Sequence, residues 1–237
     1  AGQNGAGKST LVKHFLRLLD PTTGTVRVGD KDTRDATMGE LAQRIGYVAQ
    51  NPDNQIFSAS VEAEVGFALK HLGYSPHVVE TRVEEALTAM DLLGDRHRHP
   101  LSLPKGDRAR VVIAAILAMH PDVVIFDEPT TGQDYRGARQ ILDISRDLHQ
   151  AGKTIIVVTH HLYLMADYAQ RVIIMGKGDI LLDGDVRTVF NATGTLRGTY
   201  LVPPQAILLA QAACPSSHRH SMLTPDEVAA CLARGGA

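Results

Sequence analysis

Apolar residues at Leu11, Val12, Phe15, Leu16 and Leu19 recur at helical spacing, so the pattern predicts a helix over residues 10–20. The same periodicity predicts helices over 61–72, 78–93, 104–119 and 135–150. Between them lie shorter apolar runs. Val123, Val124, Ile125 and Phe126, bounded by Pro121 and Pro129, read as a fully buried strand of the kind found inside a parallel sheet. Residues 44–50 read as a strand, residues 153–159 and 171–175 as buried strands, 24–29 as a short alternating strand, and 179–183 as the strand closing the β part. Near the C-terminus Thr224, Pro225 and Glu227 stand at N-cap, N1 and N3 of a further helix. The order of elements is that of an α/β protein, with a mostly helical insertion over about 52–119.

Composition narrows the function classes. The 237 residues are 44% hydrophobic and 21% charged, with 24 Lys and Arg against 26 Asp and Glu. That balance supplies no basic field for a phosphodiester backbone, so nucleic acid is not expected as the main partner. Cys214 and Cys231 are too few for a disulfide framework and fit a reducing, cytoplasmic setting. The longest purely apolar run, 111–119, is about half of the roughly 18 residues that a spanning helix needs. His97 with His99, and His218 with His220, form H-x-H pairs beside arginines; they read as solvated loops in preference to metal sites.

The chemistry is concentrated in two motifs. Gly2-Gln3-Asn4-Gly5-Ala6-Gly7-Lys8-Ser9 matches the phosphate-binding loop G-x-x-x-x-G-K-[ST] and feeds the helix that starts near Thr10. Glycines let consecutive N–H groups converge on phosphate oxygens, and the helix N-terminus adds partial positive charge. Lys8 is then expected to neutralise phosphate, and the Ser9 hydroxyl to ligate Mg²⁺. The plain alternative is a glycine-rich turn capping a helix. The second motif, Asp127-Glu128, ends the buried strand, where open α/β sheets bind ligands. Asp127 is expected to hold Mg²⁺ and Glu128 to polarise the attacking water; a pair of acids at a solvated strand end is the plain alternative.

In this order the residues resemble the nucleotide-binding domain of ATP-binding cassette (ABC) transporters: phosphate loop, Gln50, a signature region, Asp127-Glu128, Thr131-Gly132-Gln133-Asp134, then Thr159-His160. The resemblance covers about residues 1–190. It implies a P-loop NTPase fold with a RecA-like core sheet, a helical ABC subdomain (about 52–119) and a C-terminal extension (191–237). It implies ATP and Mg²⁺ as cofactors, with Gly2, Asn4, Gly5, Ala6, Gly7, Lys8, Ser9, Thr10 and Gln50 on the nucleotide and Ser9, Gln50 and Asp127 on the metal. Glu128, His160 and Lys8 are the implied catalytic residues, with His160 on the γ-phosphate. A narrower likeness lies in Val48-Ala49-Gln50-Asn51-Pro52-Asp53-Asn54-Gln55-Ile56-Phe57 and the following Ser60 to Phe67, which resemble the ATPase subunits of energy-coupling factor (ECF) importers, including the cobalt and nickel branch. Residues 202–205 and 223–228 resemble the C-terminal extension of those subunits. The implied function is ATP hydrolysis driving import of a vitamin, cobalt or nickel. The implied partners are a second ATPase subunit, a transmembrane coupling subunit and a substrate-capture membrane protein, and the implied place is the cytoplasmic face of the cell membrane. A non-catalytic nucleotide-binding regulator, or an ABC ATPase acting on nucleic acid or ribosomes, are the alternatives.

Two departures from the family qualify this. Where the signature LSGGQ is expected, the chain reads Leu103-Pro104-Lys105-Gly106-Asp107-Arg108, and Pro104 offers neither hydroxyl nor N–H to a phosphate. Lys105 and Arg108 are the candidates to supply substitute charge. Since this family completes each site with the partner's signature, Pro104, Lys105, Gly106, Asp107 and the seam residue Asp134 would act on the partner's site, which suggests an asymmetric pair. Secondly, family members place strands and an adenine-stacking aromatic before the phosphate loop, whereas Ala1 directly precedes it here. The expectation is an N-terminally incomplete domain of lowered stability and weak nucleotide affinity.

Overall fold

The computed structural model describes residues 1–214 and 222–235. In chain order its main elements are α1 (Lys8–Phe15), β1 (Arg27–Val28), β2 (Lys31–Asp32), α2 (Met38–Arg44), β3 (Ile45–Val48), α3 (Val61–His71), α4 (Pro76–Ala89), α5 (Lys105–Leu117), β4 (Val123–Asp127), α6 (Tyr135–Gln150), β5 (Thr154–Val158), α7 (Leu162–Met165), β6 (Arg171–Gly176), β7 (Asp179–Asp185), α8 (Val186–Asn191), α9 (Thr193–Gly198), α10 (Gln205–Ala213) and α11 (Pro225–Gly235). They form two compact units, one of residues Thr10–Val158 and one of Ala1–Ser9 with Thr159–Ala237.

The first unit is built on a parallel sheet of order β3-β4-β5. Ile45 to Val48 pair in register with Val123 to Phe126, and Val123 to Asp127 with Thr154 to Val158. Alternate residues of β4 serve opposite faces. Val124 and Phe126 join Val61, Val65 and Leu69 of α3 and Val112 and Ile113 of α5 in one large core. Ile125 packs with Val12 and Leu16 of the α1 segment, Ile45 and Val158 in another. Burial on both faces explains the unbroken apolar run of β4. β5 is less enclosed than its sequence suggests: Thr154 is exposed and Ile155 to Val157 are half-buried, because among the described residues β5 pairs only with β4.

Local capping sets most helix starts. Thr37 and Glu40 close a reciprocal capping box on α2, Ser60 and Ser75 accept from Ala63 and Val78 at the starts of α3 and α4, and Asp134 accepts from Gly137 on α6. The stops are less legible. α1 ends at Phe15, short of residue 20, because Arg17 takes a left-handed conformation (φ 53°) with Leu18 N–H donating to Lys13 and Arg17 N–H to His14. Asp91 (φ 56°) ends α4 in the same way, with Leu92 donating to Leu87 and Asp91 to Thr88, short of residue 93. Both are Schellman closures without the glycine that normally announces one, so the periodic pattern runs past them. Leu18 and Leu19 are exposed as a result. The strand at 24–29 contracts to β1, which turns through Gly29 into β2.

In the second unit β6 and β7 form an antiparallel pair with an irregularity at Ile174/Met175. Gly2 bridges Met175 in parallel sense, and Met175 N–H donates to the Ala1 carbonyl at 2.8 Å. α10 and α11 share a small core of Ala210, Cys214, Val228 and Cys231. Thr224 and Glu227 form the α11 cap foreseen in the sequence, with Glu227 N–H on Thr224 Oγ1 at 3.4 Å and Thr224 N–H on Glu227 Oε2 at 3.1 Å. No helix among the described residues is long and apolar enough to cross a membrane.

Candidate functional site

The expected site residues divide between the two units. The second unit holds the phosphate loop and Thr159-His160. Gly2 leads in with its N–H on the Thr159 carbonyl at 3.3 Å, and a Cβ at Gly2 would stand 2.5 Å from the Met175 carbonyl oxygen, so the first glycine is fixed by close backbone approach. Gly5 and Gly7 have φ of 78° and 93°, which place them where a side chain is strained, and Gly5 has open space where a Cβ would be. Asn4 and Gly5 are exposed at the tip, Ala6 is buried, and the Gly178 N–H holds the Ala6 carbonyl at 3.3 Å. Lys8 is buried and folds back over the loop, its Nζ donating to the Gly2 carbonyl at 2.7 Å and the Gln3 carbonyl at 3.1 Å. Ser9 is half-buried and Thr10 exposed in the first turn of α1. His160 stacks on His161 with ring centroids 3.9 Å apart, and the His161 N–H donates to Thr159 Oγ1 at 3.0 Å.

The first unit holds the acidic half. Asp127 and Glu128 are both buried at the C-terminal end of β4. Glu128 sits in the left-handed region (φ 51°), its N–H on the Val158 carbonyl at 2.8 Å and its carbonyl accepting from Thr131 at 3.1 Å. A non-glycine residue held there stores about 1 kcal/mol of backbone strain, as residues at reacting centres often do. Tyr47, on β3, donates its hydroxyl to Asp127 Oδ2 at 2.9 Å. Burial, and then the Asp127 carboxylate itself, push the Tyr47 hydroxyl well above the ordinary tyrosine range, so it remains a donor at any physiological pH. Gln50 is exposed just after β3. Hydroxyl, carboxamide and carboxylate oxygens, the donors on Ser9, Gln50 and Asp127, are the hard ligands that suit Mg²⁺.

The segment after Gln50 is fastened by its own side chains. Gln55 Oε1 accepts from Ala49 N–H at 2.7 Å and its Nε2 donates to the Tyr47 carbonyl at 3.1 Å, so one amide imitates a neighbouring strand along β3. Asp53 accepts from Arg108 Nη1 at 3.0 Å, and buried Glu64 accepts from the N–H groups of Phe57 and Ser58.

The signature region departs from expectation in two ways. Pro104 is the N-cap of α5 and not its first helical residue; with ψ of 152° it is extended, and its side chain caps nothing. Arg108, a candidate for substitute charge, has its guanidinium engaged by Asp53 and, at 2.9 Å, by the Leu103 carbonyl. Lys105 is exposed and reaches the Gly132 carbonyl at 3.1 Å, joining the signature to the segment that ends at Asp134. Gly106 and Asp107 are half-buried in the first turn, with Asp107 3.6 Å from Arg110. His97 lies 3.2 Å from Glu62, and His99 caps its own turn by accepting from Leu101 N–H; His218 and His220 lie outside the described residues.

Tyr47 and Gln55 are the site residues that sequence reasoning missed. The available signal was weak: a hydroxyl-bearing residue inside the otherwise apolar strand that pairs with the one ending in Asp127.

A glycine-bent loop feeding a helix, and a buried acidic pair closing a parallel strand, define the α/β P-loop NTPase class. Comparison with known proteins narrows the class. Residues 1–131 match the model of the ABC transporter family. A protein of Methanosarcina mazei, named provisionally as an ABC transporter ATP-binding protein, is 44% identical over 209 residues, covering 88% of this chain and 35% of that protein. The energy-coupling factor transporter ATP-binding protein EcfA of Methanocaldococcus jannaschii is 41% identical over 212 residues, 89% of this chain and 76% of that protein. The solved structure of cbiO1 from Clostridium perfringens, described as part of the ABC transporter complex cbiONQ, superposes with a TM-score of 0.75 at 33% identity, covering 86% and 82% of the two chains. The chain belongs to the ABC transporter ATP-binding family and has its α/β ATPase fold. It spans 35% and 40% of the length of two of the curated relatives it matches.

Proposed function

We propose that the chain is an ATP-hydrolysing subunit that energises an ECF-type importer of a vitamin or of cobalt or nickel. The observation that carries the enzymatic part is the pairing, in one chain, of the Gly2–Ser9 loop with a buried Asp127-Glu128 at the end of β4. The ECF part is supported by the segment from Val48 to Phe57 and by the likeness to EcfA and to cbiO1.

In this reading Gly5, Gly7 and Thr10 hold phosphate oxygens through backbone N–H groups at the α1 N-terminus, with Gly2, Asn4 and Ala6 shaping the loop, the Ala6 N–H donating to the Gln3 carbonyl at 3.2 Å. Lys8 neutralises phosphate charge. Ser9, Gln50 and Asp127 would hold Mg²⁺, which supplies charge neutralisation on the phosphates. Glu128 takes or orients the proton of the attacking water, and its fixed backbone limits where that carboxylate can point. His160 donates to the γ-phosphate. Positioning and electrostatics thus supply the rate. Residues 1–190 form the nucleotide-binding domain, with the helical subdomain over about 52–119, and 191–237 the extension. The chain works at the cytoplasmic membrane face with a second ATPase subunit, a transmembrane subunit and a substrate-capture protein, and without nucleic acid. With Pro104 in its signature and Arg108 held by Asp53, the asymmetric pair is the arrangement we favour.

The test is ATPase activity of the chain alone, and mixed with a second ATPase subunit and a membrane subunit, comparing wild type with Glu128→Gln. Turnover confined to the mixed complex and lost in Glu128→Gln supports the motor. Bound ATP without turnover in any combination would replace it with the regulator reading, which Pro104 favours.

A further inference from the structure

The parallel register places Tyr47 opposite Ile125, and Asp127 two residues beyond Ile125, so Tyr47 and Asp127 lie on one face of the sheet as diagonal neighbours. The hydroxyl of Tyr47 spans that diagonal to Asp127 Oδ2 at 2.9 Å. Its ring packs against the cluster of Val12, Leu16, Ile45, Ile125 and Val158. β3 is held on both edges, by β4 on one side and by the Gln55 amide on the other. The donor is therefore mounted on an element with little freedom to follow the carboxylate if Asp127 rotates.

We infer that Tyr47 is a positioning residue for Asp127: it engages one carboxylate oxygen and thereby fixes the orientation in which the group meets a divalent cation. This rests on the proposal that Asp127 serves Mg²⁺. A carboxylate at a strand end turns freely about χ2 unless something holds one oxygen, and a metal needing near-ideal octahedral geometry is sensitive to that turn. Metal response and phosphate binding are separable here, since the phosphate loop contains neither residue.

The experiment uses the full chain and its Tyr47→Phe variant, which keeps the ring and its packing. Binding of a fluorescent ATP analogue is titrated in EDTA and at rising Mg²⁺, with Mn²⁺ as a parallel cation, and thermal unfolding is recorded for both proteins. The expected result is unchanged affinity in EDTA and a Mg²⁺ midpoint shifted to roughly 10- to 100-fold higher concentration, the loss typical when the hydrogen-bond partner of a metal ligand is removed. An unshifted midpoint, or an equal loss of affinity with and without the cation, overturns the inference, the latter outcome meaning a merely structural role. If the wild-type chain binds no nucleotide under either condition, the proposed function fails instead, so the two failures are distinguishable.

Discussion

The guanidinium of Arg187, on α8, donates to both carboxylate oxygens of Glu227, at 2.6 Å and 3.1 Å, and so ties the last described helix to the end of β7. Glu227 also accepts the N–H groups of Leu223 and Thr224, which makes one carboxylate both the cap of α11 and its anchor.

That arrangement has a pH consequence. The Arg187 guanidinium, seconded by the Leu223 and Thr224 amides and opposed by partial burial, holds the Glu227 carboxyl at about 2. In an unfolded chain it titrates near 4.3. A folded-state value below the unfolded one stabilises above the unfolded pKa and is lost as pH falls towards the folded one. The side chain is 33% exposed, so solvent screening keeps the effect to about 1 kcal/mol. Glu227→Gln should unfold more readily in urea by about that amount at pH 7, with amide exchange in α11 accelerated. The difference should be intact at pH 6 and fade between about pH 4.5 and 2.

Gly46→Ala should be costly. A Cβ there would run into Cγ2 of Ile116 and approach the Pro121 ring at 3.5 Å, between β3 and α5. A β-branched isoleucine in a packed core cannot swing its methyl aside. Overpacking of this kind costs about 1 to 3 kcal/mol, which a urea midpoint will register.

Lys8→Ala removes the ammonium that holds the Gly2 and Gln3 carbonyls as well as the charge proposed for phosphate. Nucleotide affinity should fall about 30-fold, the loss of about 2 kcal/mol in charged hydrogen bonding, as read by titration with a fluorescent ATP analogue. Equal affinity in wild type and variant would detach the loop from nucleotide binding.

Pro104→Ser places a hydroxyl at the N-cap of α5, where the extended backbone already has the capping conformation. A serine cap contributes about 1 kcal/mol, offset by the greater freedom it gives the unfolded chain, so stability should change little. Turnover in the mixed complex should rise several-fold if the partner's site is limited by this signature. No change in steady-state ATPase would assign the limit elsewhere.

Much of this was legible in the sequence because it is local. The boundaries of α6 emerge as read, since Asp134 caps its start and the helical period holds to Gln150. The phosphate loop is legible for a similar reason: its glycines answer backbone demands at Gly5 and Gly7 that neighbouring residues impose. Helix ends at Arg17 and Asp91 were not legible, because a left-handed closure made by an ordinary residue leaves no mark in composition. Arg108 looked available for phosphate, and only the packing of α5 beside residue 53 commits it to Asp53.

The sequence alone determined the order of motifs, the caps and the buried character of β4, all of which arise from interactions within a few residues. The tertiary structure decided that Tyr47 meets Asp127, that Gln55 lines β3, and that β5 is only half enclosed. Those depend on the register of parallel strands and on which edges find partners. Parallel pairing joins segments far apart in the chain, and the alternation of side chains says which face a residue uses but not which neighbour it will find there.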